Sequence, residues 1–417
     1  MTRRLYARLV LSLLTGVCSG GVVAATEGDT PSLRINGFGT LGVAHSSEDE
    51  ADYVVDPFQP DGPGYSRSWS ADVDSLAGLQ VSADFTPKLS GVVQLLAKQR
   101  YDNSHDVSAE WANLKYQFTP DFSVRVGRIV QATFLYADTR NVAFTYPWVR
   151  PPTELYSLVP VTHNDGVDAQ YRMQFGGIVQ KLSVAYGSVE QGLPDRLGGS
   201  ETKAEDIFSA TSTTEYGATT LRISYLRPHL TIGAVNPLFD GFRQFGPEGD
   251  AIANRYDPDG GHAEVVSIGA SYDPGQWFIT GEWGSIDYNS VFGKNDAWYL
   301  SSGYRFGALT PYVTYARMNH HGATSDPGLT LSSLPPSQAG AGAGLNAALN
   351  DILGNGPEQR TITLGLRWDF MPNVAFKAQY EFIDRDDGSP GTFGNLQPDF
   401  EPGGDVDLFS ASINFVF

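Results

Sequence analysis

The stretch Ile362-Thr363-Leu364-Gly365-Leu366-Arg367-Trp368-Asp369-Phe370 alternates without a slip. In an extended chain Ile362, Leu364, Leu366, Trp368 and Phe370 share one face, while Thr363, Gly365, Arg367 and Asp369 share the other. This predicts a strand with an apolar side and a wet side. The same period recurs over 73–85, 167–175, 298–306 and 409–417, with aromatic residues gathered at the segment ends. Beyond residue 25 no apolar run approaches the roughly 18 residues of a membrane helix, so a membrane crossing by this chain requires strands.

The connections between these segments alternate in length. Short turns are expected at Thr86-Pro87-Lys88, Thr119-Pro120-Asp121, Gly176-Gly177, Arg227-Pro228-His229, Pro274-Gly275-Gln276, Gly307-Ala308-Leu309 and Met371-Pro372-Asn373. Mostly longer, acidic connections are expected near 46–69, 102–106, 130–162, 190–213, 236–261, 291–296, 322–358 and 387–404, with no helix anywhere. Together they join sixteen strands with both termini on the short-turn side. The fold class read from this is all-β: a transmembrane antiparallel barrel with short periplasmic turns and long extracellular loops. A secreted β-sandwich is the competing reading. It does not need aromatics at both ends of nearly every strand, as a lipid-facing wall does. Phe85, Phe118, Phe175, Trp277, Phe306 and Phe370 sit at the turn ends, and Tyr101, Trp111, Tyr186, Tyr288 and Trp298 at the loop ends.

The first residues read as a leader. Arg3, Arg4 and Arg8 precede an apolar run broken by Gly16, Gly20 and Gly21, and Val23-Ala24-Ala25 offers the small residues of a cleavage site. Residues 1–25 are therefore expected to be a signal peptide and 26–417 a single barrel domain. The whole chain of 417 residues carries a formal charge of −19, and removal of the leader takes away three arginines and no acid. No nucleic-acid partner is expected of so acidic a protein. The lone Cys18 lies in the leader, which excludes a disulfide framework and a cysteine zinc site in the exported chain. Gly37-Phe38-Gly39-Thr40-Leu41-Gly42 is a literal G-x-G-x-x-G, but an acidic loop follows it where a nucleotide site needs a helix. No G-x-S-x-G occurs, and neither an enzyme nor a cofactor nor a metal centre is expected.

These features resemble the general-diffusion porins of Gram-negative outer membranes. The likeness covers the barrel plan, the N-terminal strand Ile35-Asn36-Gly37-Phe38-Gly39-Thr40-Leu41-Gly42 and the last strand, Ser410-Ala411-Ser412-Ile413-Asn414-Phe415-Val416-Phe417. The resemblance implies an outer-membrane channel for passive diffusion of small hydrophilic solutes and ions. It also implies a homotrimer, contact with outer-membrane lipids and lipopolysaccharide, and Phe417 as the signal read by the barrel-assembly machinery. The connection 130–162 holds the position of the loop that narrows the pore in such proteins. Here it is rich in aromatics and prolines instead of carrying a short acidic run.

Strand parity then nominates the site. With the apolar face toward lipid, the opposite face carries Lys98, Arg100, Lys115, Arg125, Arg172, Arg222, Arg305 and Arg367 as a pore wall, with Lys181 and Lys377 also inward. Asp72, Asp74, Asp168, Glu282, Asp369 and Glu381 are the inward acids. In the third long connection the rings of Phe134, Tyr136, Phe144, Tyr146, Trp148 and Tyr156 need a wall to lie against. It is expected to fold inward and to set Asp138, Arg140, Arg150 and Glu154 at the constriction. Two rival functions stay open: a selective channel in which those rings form a stacking track for sugars or aromatic and organic acids, and a barrel serving as an adhesin or structural anchor through its loops.

Overall fold

The computed structural model describes residues 32–417, so the expected leader at 1–25 lies outside the described residues. Sixteen long strands form one sheet closed on itself. In chain order they are β1 (Ser32–Ser46), β2 (Leu76–Asp84), β3 (Leu89–Lys98), β4 (Ser108–Gln117), β5 (Phe122–Val130), β6 (His163–Phe175), β7 (Ile178–Gly192) and β8 (Glu201–Tyr216). There follow β9 (Thr219–Ile232), β10 (Glu264–Tyr272), β11 (Trp277–Asp287), β12 (Lys294–Tyr304), β13 (Leu309–His320), β14 (Gln359–Met371), β15 (Val374–Arg385) and β16 (Gly404–Val416). Each pairs antiparallel with its sequence neighbours, and β1 closes on β16 from Phe38 opposite Val416 to Ser46 opposite Leu408. Two-residue strands at Trp69–Ser70 and Gly261–His262 extend the long-loop rim.

The alternation that began the reading is the two-sidedness of this wall. Ile362, Leu364, Leu366 and Trp368 are exposed although apolar, while Thr361 and Thr363 on the opposite face are buried. Closure removes every sheet edge, so the backbone polar groups pair within the wall and the apolar outer face can meet hydrocarbon. The glycines of the G-x-G-x-x-G serve this closure. Gly37 and Gly39 lie under the rings of Phe417 and Phe415, where a Cβ would overlap the aromatic carbons. Gly37 and Phe417 also exchange backbone hydrogen bonds of 3.0 and 2.8 Å, which ties the last residue to the first strand.

Two expectations are corrected. Residues 201–213 are paired strand, not loop, and the short turn lies at 217–218, where Gly217 takes φ +57°. Pro228 is inside β9. It has no N–H to give to the ladder, and β8 answers with a bulge: its register skips between Glu205 and Phe208, with Asp206 at φ +50°. The loops also carry helices: α1 (Thr153–Tyr156), α2 (Asn236–Arg243), α3 (Gly246–Tyr256) and α4 (Pro336–Gly354). The last three begin with proline in the first helical turn. They share a small core above the rim, with Phe239 and Phe242 of α2 against Leu349 and Leu353 of α4. None of the described helices is long and apolar enough to cross a membrane.

Candidate functional site

Between β5 and β6 the chain turns into the barrel and runs along its inner wall from β8 to β16. Four of its rings, Phe134, Tyr146, Trp148 and Tyr156, are buried in one cluster with wall residues including Phe278, Tyr299 and Tyr312. Each such side chain contributes about 1.5–3 kcal/mol on burial, and a loop this rich in rings is driven onto a surface. The rings therefore dock the loop against the wall, with Tyr146 and Tyr156 also lining the space left open beside it.

Polar side chains of the wall catch the loop backbone in turn. On β9, Arg222 donates to the Phe134 carbonyl at 2.6 Å and to Asp138 at 2.9 Å. On β11, buried Glu282 accepts from the Leu135 N–H, the Tyr156 hydroxyl and the Tyr299 hydroxyl, all within 2.6–2.8 Å. The Trp148 indole N–H donates to Ser301 of β12 and Thr314 of β13 at 2.9 and 3.0 Å. On β14, Arg367 reaches the carbonyls of Phe144 and Tyr146. On β15, the fully buried Lys377 ammonium donates to the carbonyls of Ala143 and Trp148 at 2.6 Å each. Buried polar groups in a dry wall need partners, and wall and loop supply each other.

What remains open lies between this loop and the wall formed by β2 to β7. Its long-loop half holds a cavity of about 470 Å3 lined by Lys98, Arg100, Glu110, Arg140, Tyr146 and His163, among others. The hairpin turn after β7 reaches across the mouth: Arg196 donates to the carbonyls of Pro57 and Gln59 at 3.0 and 2.9 Å.

A family model described as Gram-negative porin matches residues 11–388. The chain belongs to the Gram-negative porin family. Solved structures carry the same fold at low identity. The chain aligns with an anion-selective porin from Comamonas acidovorans (TM-score 0.54, 12% identity, 93% of this chain and 100% of that one). It aligns likewise with OmpF of Salmonella typhi solved with daunomycin (0.53, 13%, 92% and 97%) and with the outer membrane channel DcaP of Acinetobacter baumannii (0.53, 11%, 92% and 97%). No curated protein sequence matches the chain. This porin is thus an outer-membrane channel for diffusion, of a family of channels rather than enzymes.

In the porin the nominated residues fall into three groups. Arg150 and Glu154 are loop anchors. Arg150 is buried and donates to Asp74 at 2.8 and 2.6 Å, to Glu381 at 2.8 Å and to Ser410 at 2.6 Å, and Glu154 is buried against Gln359 and Thr361. Arg222 and Arg367 hold the loop from the wall side. Asp138 stays half exposed beside Arg222, and Arg140 donates to the carbonyls of Val159 and Tyr156 while lining the cavity. The second group is paired on the wall or at its rim: Arg125 with Asp168, and Arg305 with Asp273 at the short-turn end. The third group is Lys98, Arg100, Lys115 and Arg172. None of these has a carboxylate within 4 Å among the described residues.

Parity did not single out Glu110 or His163. Their signal was in the sequence only as an acid and an imidazole near strand ends, and it took the register to aim them inward.

Proposed function

We propose that the porin passes small hydrophilic solutes with a preference for anions. The observation that carries this is the third group: four cations without carboxylate partners on the β3 to β6 side of the passage, facing a loop whose nearest acids, Glu154 and Asp138, are already engaged. Fixed positive charge in a narrow aqueous passage raises the local concentration of anions. The barrel is the diffusion unit from 26 to 417, and the charged pairs of the third loop set its width through their anchors. Three copies assembled side by side would suit the all-round apolar outer face, with lipid and lipopolysaccharide on the remainder and Phe417 as the residue that the assembly machinery takes hold of.

The test is a salt gradient across a planar bilayer. Replacing Lys98, Arg100, Lys115 and Arg172 with glutamine should move the reversal potential toward cation selectivity. A reversal potential unchanged from wild type would show that these side chains do not govern the ion path.

A further inference from the structure

The β7–β8 hairpin is taller than a membrane crossing requires. Its strands run for 15 and 16 residues, against 9 or 10 in β2 to β5, where about 9–11 suffice to span the bilayer. The surplus does not continue straight. β8 carries one extra residue relative to both neighbours, between Ala204 and Ile207 on the β7 side and between Glu205 and Phe208 on the β9 side. A bulge of this kind bends its strand and re-aims what lies beyond it. Within the bulge Asp206 accepts a hydrogen bond from the Tyr186 hydroxyl. Next to Tyr186, Gly187 gives room to the β6 backbone, since a Cβ there would lie 2.6 Å from the Asp165 carbonyl oxygen.

Beyond the bend the tip lands on a braced seat. The strands β3 to β6 stand between β2 and β7, so a tip that touches the loop joining β1 to β2 closes a chord across the mouth. Nη2 of Arg196 makes both hydrogen bonds, to the Pro57 and Gln59 carbonyls. The same guanidinium lies against Gly394 of the last long loop, where a Cβ would come within 3.1 Å of its Cζ. The seat is tied from beneath: Gln59 accepts from the Val55 N–H at 2.9 Å, and Asp52 and Tyr53 pair with Gly394 and Phe393. The tip is a closed turn in its own right. The N–H groups of Leu197 and Gly198 return to the carbonyls of Pro194 and Asp195 at 2.8 Å each, and Leu193 is buried. Tyr101, from the short connection between β3 and β4, lays its ring over Gly192. We infer that the β7–β8 tip is a fixed strap over the mouth, and that Arg196 sets through it a second size limit on solutes, outside the constriction loop. Gln59, Tyr101, Gln191 and Gly192, which belong to the strap and its seat, border the mouth cavity. A solute arriving from the long-loop side therefore passes the strap before it meets the third loop. Two narrow elements in series each add resistance, and the tighter one decides the cut-off.

Neutral probes test the strap without involving the anion preference. In liposome swelling, Arg196→Ala should admit raffinose severalfold faster, relative to arabinose, than the wild type does. Loss of a hydrogen bond from a charged group shifts the balance between seated and released tip by about ten- to a hundredfold. A second variant replaces residues 194–199 with Asn-Gly. The Leu193 N–H already donates to the Ser200 carbonyl at 2.7 Å, so a two-residue turn closes the shortened hairpin. With the strap gone, raffinose should enter at least as fast as in Arg196→Ala. The wild type supplies a measurement that no folding defect can obscure: polyethylene glycols of graded size are added to one side of a planar bilayer and then to the other. Polymers of intermediate size should enter and lower the conductance from the short-turn side while being excluded from the long-loop side, and the Asn-Gly variant should lose this asymmetry. The same exclusion size from both sides of the wild type, or a raffinose-to-arabinose ratio unchanged in both variants, overturns the strap.

Discussion

Arg150→Ala should release the constriction loop. The guanidinium makes four hydrogen bonds of 2.6–2.8 Å, three of them to the carboxylates of Asp74 and Glu381, and all three charged groups are nearly fully buried. Its partners come from the first long loop, β15 and β16, so one side chain of the third loop ties together the seam where the barrel closes. Removing it strands two buried acids, and breaking a buried pair in this way costs about 3–5 kcal/mol. At a factor of ten per about 1.4 kcal/mol, the balance between docked and undocked loop shifts by roughly 10^2 to 4 × 10^3. The barrel's own hydrogen bonds are untouched, so the strain falls on the loop. Single-channel recording should show larger conductance and frequent current steps, whereas the temperature at which the folded band converts on a gel should fall only modestly. Arg150→Lys should recover part of the closure, since it keeps a charge but loses the fork that spans both carboxylates. A variant with lower thermal stability and wild-type conductance would refute the reasoning, because it would place the arginine in the service of the barrel and not of the loop.

Deletion of residues 143–152 removes Trp148 and the carbonyls held by Lys377 and Arg367, and should raise conductance and admit larger solutes in liposome swelling. Unchanged conductance with an intact barrel would put the loop outside the path. Gly37→Val should impair assembly as severely as deletion of Phe417, because the new side chain overlaps the terminal ring and disturbs the backbone pair at the seam; the folded fraction in purified outer membranes measures it. The loop core above the rim should loosen in acid. Burial raises the pKa of Asp326, but the Gly328 N–H, the Tyr256 hydroxyl and Arg255 outweigh this and hold it below the usual carboxylate range. A depressed folded pKa gives stability that is complete above the unfolded value of about 3.9 and is lost as pH falls through the folded one. An acid-active protease should therefore begin to cut within 321–358 only below about pH 4 in the wild type, and throughout the acid range in Asp326→Asn; an identical pH profile for the two would remove Asp326 from the account.

The wall of this porin was legible in residues 362–370 and their counterparts because the signal is local. A period of two assigns each side chain to a face whatever the rest of the chain does, and a lipid-facing strand cannot hide its parity. That reasoning reached the sixteen strands, the inward cations and the aromatic loop that had to find a surface. It went astray at Pro228, where a missing N–H reads as a break unless the neighbouring strand is known to bulge. It also went astray in the extracellular loops, where helices are held by a core drawn from three separate connections. What only the tertiary structure decided is which charges are anchors and which are free. Arg150 meets Asp74 across 76 positions and Glu381 across 231, and Lys377 meets the Ala143 carbonyl across 234. No spacing rule connects such residues, because their proximity depends on how a closed wall curves and where a loop lies within it. The same closure converts Arg150 and Glu154 from candidate pore charges into buried fastenings, and it leaves Lys98 and Arg100 on the cavity at the long-loop end.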